Sequence, residues 1–203
     1  MSAITPLNTA LIIFVRHPEL GKVKTRLAKV IGDEKALKVY QLLLQHTREV
    51  TLPLNCRKFI YYADGIAEHD SWSDPGYTKR QQFGEDLGLR MANAFKELFE
   101  QGFKRVLIIG SDCYQLQTTI LDHAIAVLND YPVVIGPAFD GGYYLLGMSS
   151  FIPELFKAIR WSTDQVYKQT IANLTTLSQP FILLEQLHDV DEAADLEVNG
   201  III

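Results

Sequence analysis

Apolar residues recur along this chain in two rhythms. Short unbroken apolar runs alternate with longer stretches in which apolar positions fall three and four apart. The first rhythm predicts strands covered on both faces, the second amphipathic helices. Strands are predicted at residues 10–16, 57–62, 105–110, 132–137, 143–147 and 180–184. Helices are predicted at 33–50, 86–101, 118–130, 162–175 and, briefly, 192–197. Asp33, Asp86 and Ser162 stand where N-caps belong. Leu87, Met91, Ala94, Phe95 and Leu98 share one face of the second helix, which is therefore a core face. The run 106–109 is apolar on both faces, as in a parallel strand between two helical layers.

Strands alternating with helices predict an α/β fold: a three-layer α/β/α sandwich around a mostly parallel sheet, one domain over residues 1–203. No repeat, low-complexity tract or long linker divides the chain. In such sheets ligands bind beyond the carboxyl ends of the strands. Three polar clusters fall there: the loop after Arg16, Ser111-Asp112, and Asp140-Gly141-Gly142.

Composition narrows this picture. The 203 residues carry a net charge of -5, which argues against a broad nucleic-acid-binding surface. Two cysteines without metal-ligand spacing, Cys56 and Cys113, suit a reducing compartment. No charged leader precedes the first apolar run, which is too short to span a membrane. These features predict a cytoplasmic protein with no membrane span, whose mature form is the whole chain.

Against that acidic balance, Arg16, Lys22, Lys24 and Arg26 crowd the end of the first strand. Arginine and lysine there donate charge-assisted hydrogen bonds to phosphate oxygens. Gly21 lets backbone approach a ligand, and Thr25 is placed to cap the next helix. A solvated basic turn is the plain alternative, and no GxxxxGK[ST] motif is present. Asp112, just past a buried strand, suits a hard divalent cation such as Mg²⁺ or Mn²⁺; it also suits an N-cap. Asp140-Gly141-Gly142-Tyr143-Tyr144 reads as a hairpin turn or, with Phe139, as an aromatic-walled pocket. Asp86 after Gly84 reads equally as a cap or a nucleotide contact. Trp161 precedes a helix start and is placed to cover a substrate. Of Asp189 and Asp191, one is expected to cap the last helix and the other to be a second metal ligand. Residues 64–77 are loop-like and are candidates for covering the site.

Taken in order, several blocks resemble one family. They are residues 14–27 (FVRHPELGKVKTRL), 84–91 (GEDLGLRM), 110–113 (GSDC), 136–144 (GPAFDGGYY), 161–163 (WST) and 189–191 (DVD), followed by Asp195-Leu196. They resemble the small bacterial GT-A-type transferases, also labelled radical-SAM/selenodomain-associated or nucleotide-diphospho-sugar transferases. Tyr114 stands where that family has proline and Glu192 where threonine is common. Ser111-Asp112-Cys113 supplies one aspartate where many glycosyltransferases have Asp-x-Asp. The resemblance implies a nucleotide-diphospho-sugar transferase-like fold. It implies phosphate contacts from Arg16, Lys24 and Arg26, base or ribose contacts near Gly84 and Asp86, and metal at Asp112 completed by Asp191. Asp140, with Gly141, Gly142, Tyr143 and Trp161, would face the acceptor, and Asp140 and Lys24 would serve catalysis. The expected function is a metal-dependent glycosyltransferase with a nucleotide-sugar donor and a small-molecule acceptor. A nucleotidyltransferase releasing pyrophosphate is the alternative, and a non-catalytic nucleotide-binding module the third reading.

Overall fold

Residues 8–203 are described by the computed structural model; the seven residues before them, part of the expected domain, lie outside it. One seven-stranded sheet runs through the fold in the order β3-β2-β1-β4-β6-β5-β7. Its strands are β1 (Thr9–Val15), β2 (Arg57–Tyr62), β3 (Tyr77–Gln81), β4 (Arg105–Ile109), β5 (Val133–Pro137), β6 (Tyr143–Met148) and β7 (Phe181–Leu183). All neighbours pair in parallel except β6, which runs antiparallel between β4 and β5. The helices are α1 (Thr25–Ile31), α2 (Asp33–Thr51), α3 (Leu87–Glu100), α4 (Thr118–Val127), α5 (Val166–Thr176) and α6 (Ala193–Val198).

Strand alternation explains the three layers. On β1, Leu11, Ile13 and Val15 turn to one face, where Tyr40 and Leu44 of α2 and Leu121 of α4 pack. Ala10 and Ile12 turn to the other, against Phe95 and Leu98 of α3 and Leu174 of α5. Burying a leucine or isoleucine side chain contributes about 1.5–3 kcal/mol, so both faces must be covered. A smaller cluster joins Leu27 of α1 to Val39 and Leu43 of α2 and to Val190, and so anchors the segment before α6.

The mostly parallel α/β sandwich matches the expected fold, with differences at element ends. β3 was not anticipated: its residues Thr78 to Arg80 are polar and half-buried, the composition of an edge strand. Helix α2 is capped by Gly32, not Asp33, and α1 begins from Lys24, with Thr25 as its first helical residue. α5 begins at Val166, four residues later than expected; Ser162 takes φ 61° in the loop before it and caps nothing. Residues 64–77, a candidate cover for the site, do not line the cleft beyond the strand ends. Trp72 is only 2% exposed and stacks edge-on against Tyr77 in the core beneath β2 and β3. No helix among the described residues is long and apolar enough to cross a membrane.

Candidate active site

From β1 the chain crosses to β2 on one side, while β4 pairs on the other side of β1. That reversal opens a crevice beyond the carboxyl ends of β1 and β4. A cleft of about 910 Å³ occupies it. Arg16, Lys24, Arg26, Asp86, Asp112, Asp140, Gly142, Tyr143, Trp161 and Asp191 all line this cleft. Gly21, Gly84 and Gly141 do not; they shape its loops. At Gly84, φ is 142° and a Cβ would stand 2.8 Å from the Arg90 amide nitrogen, so the loop meets α3 closely only without a side chain. A Cβ on Gly141 would lie 2.3 Å from the Asp164 carbonyl oxygen, where the 138–142 turn packs on the loop before α5.

The centre of the site is Lys24. Its ammonium lies 2.5 Å from Asp112 Oδ1 and 2.9 Å from Asp191 Oδ1. The lysine side chain is 5% exposed, the two carboxylates 42% and 40%. Burial alone would lower the lysine pKa; the two carboxylates more than offset it, and the ammonium is held charged well above its ordinary range. Lys24 has φ 47° and ψ 44°, a left-handed conformation that costs a non-glycine residue about 1–2 kcal/mol. That conformation is kept where the side chain has two carboxylate partners.

Each partner is placed by a different part of the chain. Asp112 follows β4, and its carbonyl accepts from the Val190 amide at 2.9 Å, drawing the 188–191 segment alongside. Asp195 Oδ2 accepts from the amides of Asp191 at 2.9 Å and Glu192 at 2.7 Å, fixing the turn that presents Asp191. Neither Asp189 nor Asp191 caps α6; Glu192 does, with Asp195 one turn on. The Arg16 backbone is clamped by the Tyr40 hydroxyl, which accepts from its amide at 2.9 Å. Arg26 reaches Asp191 at 4.0 Å and is otherwise open to solvent.

The opposite wall carries Asp86, Arg90, Tyr143 and Trp161. Asp86 caps α3, its carboxylate accepting from the Leu89 amide at 2.7 Å. Arg90 Nε donates to the Gly84 carbonyl at 3.0 Å, tying the loop to the helix. Trp161 packs against Gly88, where a Cβ would come within 2.1 Å of its Nε1. Asp140 sits in the β5–β6 hairpin, its Oδ1 accepting from the Gly142 amide at 2.8 Å, and lines the cleft with Tyr143 and Tyr144; Phe139, expected as a third aromatic wall, does not line it and stacks on His188 instead.

Asp189, the aspartate not chosen as a ligand, also lines the cleft. Burial, and then the negative charges of Asp112, Asp140 and Asp191, hold its carboxyl well above the usual range; Lys24 acts against them. Its place in a run of two spaced aspartates was the available signal. Arg90 and Tyr40 were missed. Arg90 stands four residues after the Asp86 cap, which puts it in the first turn facing the same loop. Tyr40 sits mid-helix among apolar neighbours, and nothing local marks it.

Hard divalent cations take oxygen ligands and are often held by one or two carboxylates together with substrate phosphates. Asp112 and Asp191 fit that donor set, already converging on one cation, Lys24. Among the described residues no group of three or more His, Cys, Asp or Glu is arranged to hold a metal ion.

Comparison with known proteins gives the family. None of the curated proteins matches the chain. Among solved structures it is similar to a "putative nucleotide-diphospho-sugar transferase" from Desulfovibrio desulfuricans, with 36% identity, TM-score 0.89, and coverage of 95% of this chain and 86% of that one. At 11% identity it shares its fold with CMP:2-keto-3-deoxy-manno-octonic acid synthetase complexed with CTP (TM-score 0.58, 95% of this chain, 97% of that). At 12% identity it shares it with the Mycobacterium tuberculosis protein Rv0371C in complex with manganese (TM-score 0.57, 96% and 98%). A family model matches residues 47–163, more than half of the sequence, so the chain belongs to the family described as "Uncharacterized protein conserved in bacteria (DUF2064)".

Proposed function

We propose that this chain acts as a single-domain, metal-dependent transferase on a nucleotide-activated substrate, with a nucleotide-diphospho-sugar as donor. The observation that carries the reading is the paired charge of the cleft. Lys24, Asp112 and Asp191 meet at its centre, with Arg16 and Arg26 on the same side. The 36%-identical relative named as a nucleotide-sugar transferase supports the choice of donor.

In this reading Arg16, Lys24 and Arg26 bind the diphosphate, and Asp112 and Asp191 hold Mg²⁺ or Mn²⁺. Such an ion supplies charge neutralisation of the leaving nucleoside diphosphate. Asp86 and the Gly84 loop lie toward the nucleoside. Trp161 and Tyr143 form an apolar wall for the sugar or acceptor, and Asp140 faces the attacking hydroxyl, positioned to accept its proton. Nucleotidyl transfer is the second reading. It is favoured by the four cations of the loop at 16–26, Arg16, Lys22, Lys24 and Arg26, which suit a triphosphate.

Incubation with Mn²⁺ or Mg²⁺ and a panel of nucleotide-sugars and nucleoside triphosphates separates the two. Slow release of nucleoside diphosphate from a nucleotide-sugar supports the first; pyrophosphate release from a triphosphate supports the second. Asp112→Asn is expected to abolish metal-dependent nucleotide binding with only a small loss of stability, because Lys24 keeps Asp191 and the Asp112 side chain is 42% exposed. Metal-dependent binding equal to wild type removes Asp112 from the metal site.

A further inference from the structure

We infer that Lys24 is an internal cation that fills the Asp112–Asp191 carboxylate pair until nucleotide arrives, so that the site takes its divalent metal as a metal–nucleotide complex and not as the free ion. The inference rests on the metal reading given above. The ammonium stands where a metal shared by the two carboxylates would stand, 2.5 Å and 2.9 Å from their oxygens. At these separations it and a divalent cation between the same oxygens exclude each other, by size and by charge.

Displacing the ammonium is unfavourable unless another anion takes it up. Its side chain is almost fully buried, and a buried charge without a partner is far more costly than one that has exchanged partners. Phosphate oxygens supply such an exchange: a nucleotide held by Arg16 and Arg26 brings anionic oxygens to the same wall, and Lys24 can pass from carboxylate to phosphate as the metal enters. The left-handed backbone at Lys24 is consistent with this. It is a conformation kept up by the side chain's partners, at the residue where the 16–24 loop joins α1, and non-glycine residues so held gather at switching sites.

Mn²⁺ alone is the probe, followed by the loss of its free electron-spin-resonance signal. Lys24→Met is expected to bind free Mn²⁺ at least about tenfold more tightly than wild type, the worth of one charge-assisted contact, with Lys24→Gln as a second variant against misfolding. The gain should vanish in Lys24→Met/Asp112→Asn. Equal affinity in wild type and Lys24→Met overturns the inference; if Asp112→Asn then lowers that shared affinity, the metal reading stands without it. No binding by either Lys24 variant also overturns it. The wild type offers a test free of substitutions: crystals soaked in Mn²⁺ without nucleotide should show no anomalous peak at Asp112. A peak there refutes the inference, whether Lys24 still lies between the carboxylates or has moved away.

Discussion

Gly88→Ala sets two local rules against each other. Gly88 is buried in the first turn of α3. By helix propensity the change should stabilise, by up to about 1 kcal/mol. By packing it should destabilise, because the new Cβ would lie 2.1 Å from Trp161 Nε1, 2.3 Å from Cε2 and 2.6 Å from Cζ2. Ordinary contact begins near 3.4 Å, so a rigid indole must retreat by more than an ångström. Overpacking of this kind costs about 1–3 kcal/mol, and the gain in a first turn is smaller than mid-helix. The net expectation is a loss of about 1–2 kcal/mol, or a melting temperature lower by about 2–8 °C for a domain of this size. Urea denaturation followed by circular dichroism reads the stability, and near-ultraviolet dichroism reads the indole. A variant as stable as wild type with an unchanged aromatic spectrum would show that Trp161 does not rest on the α3 backbone, and the cleft wall built on that contact would fall with it.

Two more expectations follow from particular contacts. The protein has two tryptophans, and only Trp161 lines the cleft, so a ligand there should quench fluorescence in wild type but not in Trp161→Phe; equal quenching in both would place the ligand elsewhere. Asp70 accepts from Lys79 Nζ at 2.7 Å, the Trp72 amide at 2.9 Å and the Tyr62 hydroxyl, and although burial opposes it, these partners hold its pKa below the ordinary 3.8. A lowered carboxyl pKa contributes stability above the unfolded-state value and loses it as pH falls through the folded one. Asp70→Asn should therefore cost about 1–3 kcal/mol at pH 7, and the gap to wild type should shrink below pH 3.8 in urea melts; a gap independent of pH refutes the charged contact.

Much of this fold was legible in the sequence because burial is written locally. β1 and β4 are apolar on both faces, and only a strand between two helical layers can satisfy that. α3 carries its core stripe at helical spacing and its cap at Asp86. The parallel sheet in turn placed Arg16, Asp112 and Asp140 at one edge before any contact was known. β3 was not legible, since an edge strand needs little apolar surface, nor was the late start of α5, where four polar residues, Ser162 to Gln165, precede the buried Val166.

The site divides the same way. Residue type alone marked a basic loop and two acidic clusters, at Asp112 and Asp140, because charge at the end of a buried strand stands out against its surroundings. Only the tertiary structure decided that Lys24 bridges Asp112 and Asp191, that Asp189 is pressed among other aspartates, and that Trp161 lies on Gly88. These contacts join segments distant along the chain, and each is set by loop hydrogen bonds such as Val190 to Asp112 and Tyr40 to Arg16. Periodicity records which face of an element is buried. It carries no record of which side chain meets which across a crevice, and there the pairing of charges is decided by the geometry of the whole fold.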